Sequence, residues 1–252
     1  MEPFYEDPNI LSEYLLFHYG SDEEIFRWDF GPKESTQFPK RIAHFFKEHY
    51  PQKGDEGQLR ALDIGCSVGR SSFELTHYAD KVIGLDYSQA FIDAAKSLQT
   101  ESKRSYSYKI QGNRRQETIA SVPADCDPSK VTFDQADAMN LPLDELGKFD
   151  IVLASNLICR LPDPGKFMGE LKDLVSSGGV FVLSTPYSYL EAFTETECWL
   201  GGTEGCAPFD TIKEVLNPNF TLLKEDDTPM LIREHERKFQ WTVCHVSVWK
   251  RT

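Results

Sequence analysis

Arg60-Ala-Leu-Asp-Ile-Gly-Cys-Ser-Val-Gly-Arg-Ser-Ser-Phe-Glu-Leu75 reads as a buried strand, a tight glycine turn and the start of a helix. Asp63 closes the strand, and Gly65 and Gly69 punctuate the turn. Lys81-Val-Ile-Gly-Leu-Asp86 follows as a second strand that also ends in an acid. A dinucleotide site wants G-x-G-x-x-G, whose backbone amides hold a pyrophosphate at a helix N-terminus. Here the order is Asp63-x-Gly65-x-x-x-Gly69, with a carboxylate where the first glycine would stand. A carboxylate there is poor for a pyrophosphate and good for an ammonium. Two acids on either side of a glycine turn therefore suit a ligand that carries a cation and a ribose.

Outward from this stretch the chain alternates strand and helix. Strands read at 60–64, 81–86, 131–137, 149–155 and 179–185, and helices at about 69–79, 88–99 and 164–175. Alternation of this kind predicts an α/β, Rossmann-like, mostly parallel sheet with helices on both faces and ligands at the carboxyl ends of the strands. Phe220–Lys224 and Lys238–Lys250 read as two C-terminal strands; the second alternates over a long span, as an antiparallel strand does. Residues 58–185 form the cofactor-binding core of a single domain spanning 1–252, and 186–252 a substrate region with a β-hairpin. Residues 51–58 read as a linker. Thr100–Lys130 is a polar insertion that either shapes a substrate mouth or is a surface excursion, the excursion being slightly preferred, with a short helix near Arg115–Ser121.

Residues 1–50 are expected to form an aromatic helical cap. Ile10, Tyr14, Phe17 and His18 fall near one helical face, with Gly20 as a stop; Ile42, Phe45, Phe46 and His49 recur at 3–4 spacing over 38–50. This cap is either a layer packed on the sheet or a lid over the site, and both readings need an apolar underside.

The strand ends assign the cofactor as S-adenosylmethionine. Asp63 is expected to meet the methionyl ammonium, directly or through water, and Gly65, Cys66, Ser67 and Gly69 to approach the adenosyl moiety without a Cβ clash. Asp86 is expected to accept from both ribose hydroxyls, Tyr87 to pack on the adenine, and Ser88 to cap the next helix. Asp137 and Ala138 meet the adenine edge, and Ser155 and Asn156 lie beside the methyl donor. Any one of these acids alone is equally well a helix cap or a solvated turn; the argument rests on four strand ends agreeing.

A net charge of −13 repels phosphate backbones, and Lys103-Arg104 and Arg114-Arg115 are too short to build a basic groove, so nucleic acid is not expected as a partner. No apolar stretch approaches the ~20 residues a membrane helix needs. The N-terminus lacks a signal-peptide h-region, and the six scattered cysteines fit reduced thiols in a cytoplasmic protein. None forms C-x-x-C, no His pair has zinc-ligand spacing, and no metal is expected.

The pattern over 60–185 resembles class I S-adenosylmethionine-dependent methyltransferases: Leu62-Asp-Ile-Gly-Cys-Ser-Val-Gly69 matches their first motif, Gly84-Leu-Asp86 their second, and Ser177-Gly-Gly-Val-Phe-Val-Leu-Ser-Thr185 the strand after their last helix. A closer resemblance spans nearly the whole chain. Phe4-Tyr-Glu6, Ser12-Glu-Tyr-Leu-Leu-Phe-His-Tyr-Gly20, Phe30-Gly-Pro32, Gly65–Leu75, Asn156-Leu-Ile-Cys-Arg-Leu-Pro-Asp-Pro164 and Trp199-Leu-Gly-Gly202 are similar to the methyltransferase domain of ovothiol biosynthesis. That resemblance implies methylation of the side-chain-proximal ring nitrogen of 5-thiohistidine. Many members of that family carry the domain behind a sulfoxide synthase. This chain is expected to be a free-standing or excised domain, unable to make the C–S bond, with a transient functional link to such a synthase.

The resemblance frames the substrate set. Methyl transfer is an in-line displacement in which placement supplies most of the rate. The pocket has to aim the ring nitrogen at the methyl and turn the softer thiolate away. Asn156, Tyr14, Tyr19 and Tyr187 are the candidates that face the ring, and Arg160 or Arg41 the fork that holds the substrate carboxylate. Each tyrosine is equally a packed core residue, and Arg160 equally a surface charge. His18 is either a general base or a structural histidine, and a ring with its own lone pair needs no base. Patterning alone leaves open a methyltransferase for another small metabolite, a non-catalytic S-adenosylmethionine-binding subunit that regulates a partner, and, more remotely, a nicotinamide oxidoreductase.

Overall fold

The computed structural model describes residues 4–50 and 57–252. The linker expected at 51–58 falls mostly outside them. Eight α-helices and nine strands are described: α1 (Pro8–Tyr19), α2 (Asp22–Ile25), α3 (Phe38–Ala43), β1 (Arg60–Ile64), α4 (Arg70–Glu74), β2 (Lys81–Asp86), α5 (Gln89–Glu101), β3 (Lys103–Gln111), β4 (Arg114–Ser121), β5 (Val131–Gln135), α6 (Leu143–Leu146), β6 (Phe149–Ser155), α7 (Pro164–Leu174), β7 (Val175–Thr185), α8 (Pro208–Leu216), β8 (Phe220–His235) and β9 (Lys238–Arg251).

Seven strands form one sheet in the order β5-β2-β1-β6-β7-β9-β8, with β9 antiparallel to both neighbours. The order reverses between β1 and β6, which opens a crevice at the carboxyl ends of those strands. Alternate residues of the central strands feed two apolar layers. Ala61, Ile151, Leu153, Val180 and Val182 pack with α1, α3 and α5. Leu62, Val152, Ala154, Phe181 and Leu183 pack with α7 and α8 on the other face. Asp63 follows Ala61 by two, so the pleat turns its side chain under α4.

Several expectations change. The helix expected at 69–79 is only five residues of α4 and a 3-10 turn at Leu75–His77. The strand expected to end at 137 stops at Gln135, and β7 begins at Val175, four residues early. The helix expected near Arg115–Ser121 is instead β4, hydrogen-bonded to β3 in a separate hairpin; Arg114-Arg115-Gln-Glu-Thr-Ile-Ala-Ser121 offers a strand partner next door that local reading does not see. Nor is the insertion a mere excursion. Arg115 donates to Asn9 Oδ1 and Ser12 Oγ of α1, both at 3.0 Å, and Thr118 Oγ1 donates to Glu24 Oε1 at 2.6 Å. It braces the cap.

The largest difference is β8, expected to end near Lys224 and in fact running to His235. Its outer half pairs with the first half of β9, from Asp227↔His245 to His235↔Lys238, and overhangs the strand ends. Arg233, only 5% exposed, is held by donation to the Glu24 carbonyl and by its stack on Tyr108, 4.9 Å from the ring centroid. The cap, the insertion and this hairpin thereby form one wall.

Candidate active site

A cavity of about 520 Å³ opens at the carboxyl ends of the strands. Its floor is the glycine turn. Gly65 and Cys66 donate their amides to the Leu85 carbonyl at 2.8 and 2.9 Å, Ser67 donates to Asp86 Oδ2 at 2.8 Å, and Gly69 donates to the Cys66 carbonyl at 3.0 Å. These amides are therefore spent within the turn and do not form an anion cradle. The backbone has positive φ at Gly65 (77°), Ser67 (52°) and Gly69 (89°), which is what bends the strand so sharply into the helix.

Asp86 lines the cavity and also accepts from Ser88 N at 2.9 Å through Oδ1. Burial pushes its carboxyl up to about 6, against the pull of the Ser88 and Ser67 amides. The two amides aim its remaining lone pairs, and the charge, at the cavity. Ser67 lines the same space, and its Oγ is buried without a partner among the described residues. Tyr87, 65% exposed, and Ala138 border it. Asp137 lines it too, but its carboxylate accepts from Met139 N at 2.9 Å and Asn140 Nδ2 at 2.8 Å, as a turn-closing aspartate does.

Asp63 and Gly69 stand outside the cavity wall. Asp63 is fully buried; its Oδ2 accepts from Ser71 and Ser72 Oγ, both at 2.7 Å, while Oδ1 has no partner. Burial pushes its carboxyl up to about 6, with the two serines opposing. Ser71 lines the cavity, and Asp63 reaches it only through that serine. A Cβ on Gly69 would lie 2.7 Å from Phe133 Cζ. Its glycine serves the packing of β5 against the turn, not approach to a ligand. Gly65 is the glycine that faces the cavity.

The fourth strand end holds Ser155 and Asn156. Asn156 sits at φ 53°, accepts from Ser184 Oγ at 3.1 Å and points its amide nitrogen at Met230 Sδ, 3.1 Å away. Ser155 Oγ shares a hydrogen bond with Ser184 Oγ at 2.9 Å. Both line the cavity, bridging its floor and the hairpin wall.

Beyond Asn156 the cavity becomes aromatic. Tyr14 packs between Tyr5 and Phe91, at centroid distances of 6.1 and 4.9 Å. Burial raises its phenol well above the usual range, so it stays protonated. His18 is 5% exposed, lines the cavity and has an Nδ1 without a partner. Burial, helped by Arg70, lowers its imidazole to about 3, which keeps it neutral. Arg160 is the one Lys or Arg side chain in the cavity wall among the described residues. It donates to the Cys159 and Ser188 carbonyls at 2.8 and 2.7 Å, and lies 5.5 Å from the Phe193 ring centroid.

Three expected substrate residues lie elsewhere. Tyr19 donates its hydroxyl to the Val68 carbonyl at 2.8 Å and braces the glycine turn from behind. Tyr187 is paired with His245 Nδ1 at 2.7 Å. Arg41 donates to the Thr36 carbonyl at 3.0 Å and to the Pro229 carbonyl, tying α3 to β8. In each case the polar end expected to meet the substrate, the ring for the tyrosines and the carboxylate for Arg41, is already satisfied by the fold. Conversely, sequence reading missed Tyr5, Phe193, Met230, Gln240 and Thr242, all in the cavity wall. For the last three the one available signal was the long alternation after residue 225.

Residues 62–183 match the family described as "Methyltransferase domain". The ubiquinone biosynthesis O-methyltransferase of Bradyrhizobium diazoefficiens is 30% identical over 129 residues, covering 51% of this chain and 40% of that protein. The chain thus spans about 40% of the length of the first curated relatives it matches. The N-methyltransferase NodS from Bradyrhizobium japonicum, solved with S-adenosyl-L-homocysteine, superposes with a TM-score of 0.53 over 97% of this chain and 99% of that one, at 13% identity. Magnesium protoporphyrin IX methyltransferase from Synechocystis, solved with bound SAM, gives 0.53 over 98% of each chain, at 15% identity. At such identities the likeness is one of fold. The match over residues 62–183 falls on the core expected from the sequence. Among the described residues no helix is long and apolar enough to cross a membrane.

Proposed function

We propose that this chain transfers a methyl group from S-adenosylmethionine to the side-chain-proximal imidazole nitrogen of 5-thiohistidine. One observation carries the reading: the cavity runs from the acidic strand ends into an aromatic compartment whose polar groups are His18, Asn156, Arg160, Gln240 and Thr242. A planar, zwitterionic heteroaromatic amino acid suits such walls.

The cofactor half fits its ligand. Asp86 would take the ribose hydroxyls, the unpartnered Ser67 Oγ the adjoining polar edge, and Gly65 the close backbone approach. With its amides already used, the turn offers nothing to a pyrophosphate. When bound, S-adenosylmethionine supplies an electrophilic methyl whose leaving group needs no proton.

The chain's own task is then alignment. Neutral His18 holds or accepts one ring proton through Nδ1, which sets the tautomer that leaves the reacting nitrogen its lone pair. Tyr14 and Phe91 fix the ring plane, and Arg160 draws the substrate carboxylate to the far end. The apolar walls exclude water, and proximity of this kind is worth roughly 7–11 kcal/mol in good cases. The thiolated acceptor has to come from an enzyme that forms a C–S bond, consistent with the link to a sulfoxide synthase.

Incubation with 5-thiohistidine and S-adenosylmethionine tests this. The expected product gains one N-bound methyl, located by mass spectrometry and NMR; S-methylation or no product overturns the reading. A phenolic acceptor is the second reading. It is favoured by the O-methyltransferase relatives.

A further inference from the structure

Behind the glycine turn, three separate segments bring together a cluster none of whose members lines the cavity. His44 follows α3, Glu74 and His77 come from α4 and its 3-10 turn, and Asp125 and Cys126 from the loop after β4. His44 Nε2 lies 3.1 Å from Glu74 Oε2, and His77 Nε2 lies 3.6 Å from the same oxygen. One ligand atom from each of these three falls within 4.8 Å of the others, and the same holds for His77, Asp125 and Cys126. His77 Nε2 is 3.6 Å from Asp125 Oδ2 and 3.8 Å from Cys126 Sγ.

We propose that this cluster is a binding site for a divalent transition-metal ion of the zinc type, held by His44, Glu74 and His77. Two imidazoles and a carboxylate form a donor set that favours zinc over magnesium or calcium and leaves the fourth position to water. The outer shell is already built. Arg70 Nε and a terminal nitrogen both hold Glu74 Oε1 at 2.8 Å, which leaves Oε2 turned to the imidazoles. The carboxylate side chain is 1% exposed, while the imidazoles are 36% and 28% exposed, so an ion has a route in. Glu74 supplies one negative charge to the dication, and Asp125, 3.6 Å from His77 Nε2, a second nearby.

The site would clamp the cap to the turn and the insertion. Arg70, which orients Glu74, also donates to the His18 carbonyl at 3.1 Å, so the clamp reaches the cavity wall. None of this depends on the identity of the methyl acceptor.

The full chain, stripped with a chelator, is titrated with zinc chloride by calorimetry and metal analysis. The expected result is one ion per chain and a rise in Tm with zinc. His77→Ala, which removes the donor shared by both trios, weakens binding at least about tenfold, the scale seen even for outer-shell losses. Cobalt in place of zinc gives visible ligand-field bands that His44→Ala, at a partly exposed position, shifts or abolishes without loss of fold. Absence of stoichiometric zinc binding, or a His77→Ala chain that binds as well as the unaltered one, overturns the site. Should His77→Ala not fold, the His44→Ala spectrum decides: bands that persist unchanged, or never form, overturn the proposal.

Discussion

The backbone amide of Ser67 donates to Asp86 Oδ2 at 2.8 Å, so the glycine turn after β1 and the acid that ends β2 form one hydrogen-bonded unit. Ser88 N holds the other oxygen at 2.9 Å. Asp86→Ala removes the proposed ribose acceptor and strands two amides. We expect S-adenosylhomocysteine to bind more weakly by about 1–3 kcal/mol. Calorimetry that shows an unchanged affinity would place the ribose elsewhere.

The two buried acids make a pH prediction with a definite sign. Asp63 has an ordinary value of 3.8 and is pushed up to about 6 by burial. A folded-state value above the unfolded one means stability present below about pH 4 and lost as pH rises through 6. Asp63→Asn removes that term. The variant should gain on the unaltered protein between pH 4 and 7, by at most about 3 kcal/mol for a shift of two pH units. Paired urea melts across that range check it, and a pH-independent difference would mean that Asp63 is ionised in the fold at no cost.

Gly65 and Gly69 should separate by phenotype. At Gly69 an added methyl meets Phe133 at 2.7 Å with φ at 89°, so Gly69→Ala should lose about 1–3 kcal/mol of stability. At Gly65 the nearest atom is Leu157 Cδ1 at 3.2 Å, and the turn borders the cavity. Gly65→Ala should therefore lose cofactor affinity out of proportion to its loss in Tm. Equal ratios of binding loss to stability loss in the two variants would count against this division.

His18→Phe keeps the aromatic volume and deletes a buried nitrogen that has no partner. Stability should hold or rise by about 1 kcal/mol, while KM for the methyl acceptor rises and cofactor affinity stays. A large drop in Tm with normal turnover would make His18 purely structural.

Asn156→Ala should cut turnover more than it cuts cofactor affinity, and should cost about 1 kcal/mol for an alanine at φ 53°. The opposite pattern, read from kcat and from calorimetry, would move Asn156 into the cofactor set.

Much of the cofactor end was legible because its signals are local. A strand, a glycine turn, an acid and a cap occupy adjacent positions, and the turn's geometry is set within a few residues of Gly65. The cap's α1 was legible for the same reason. Tyr19, Tyr187 and Arg41 were misjudged because nothing in their neighbourhood says that Val68, His245 and Pro229 would satisfy them. The Arg115–Ser121 segment failed similarly, its partner β3 being invisible to helix periodicity.

By itself the sequence determined the parallel core, the acids at the strand ends and the exclusion of a pyrophosphate site, since all three follow from short-range pattern and charge. The tertiary structure alone decided which polar groups remain unsatisfied. That is a property of three-dimensional packing: Ser67 Oγ and His18 Nδ1 are buried beside the cavity without a partner, and Asp63 is drawn beneath α4 by the pleat with one oxygen held by two serines. It also decided that the hairpin from β8 to β9 closes the acceptor side, because a strand's length depends on a partner that lies up to 31 residues away, as Phe220 and Arg251 do.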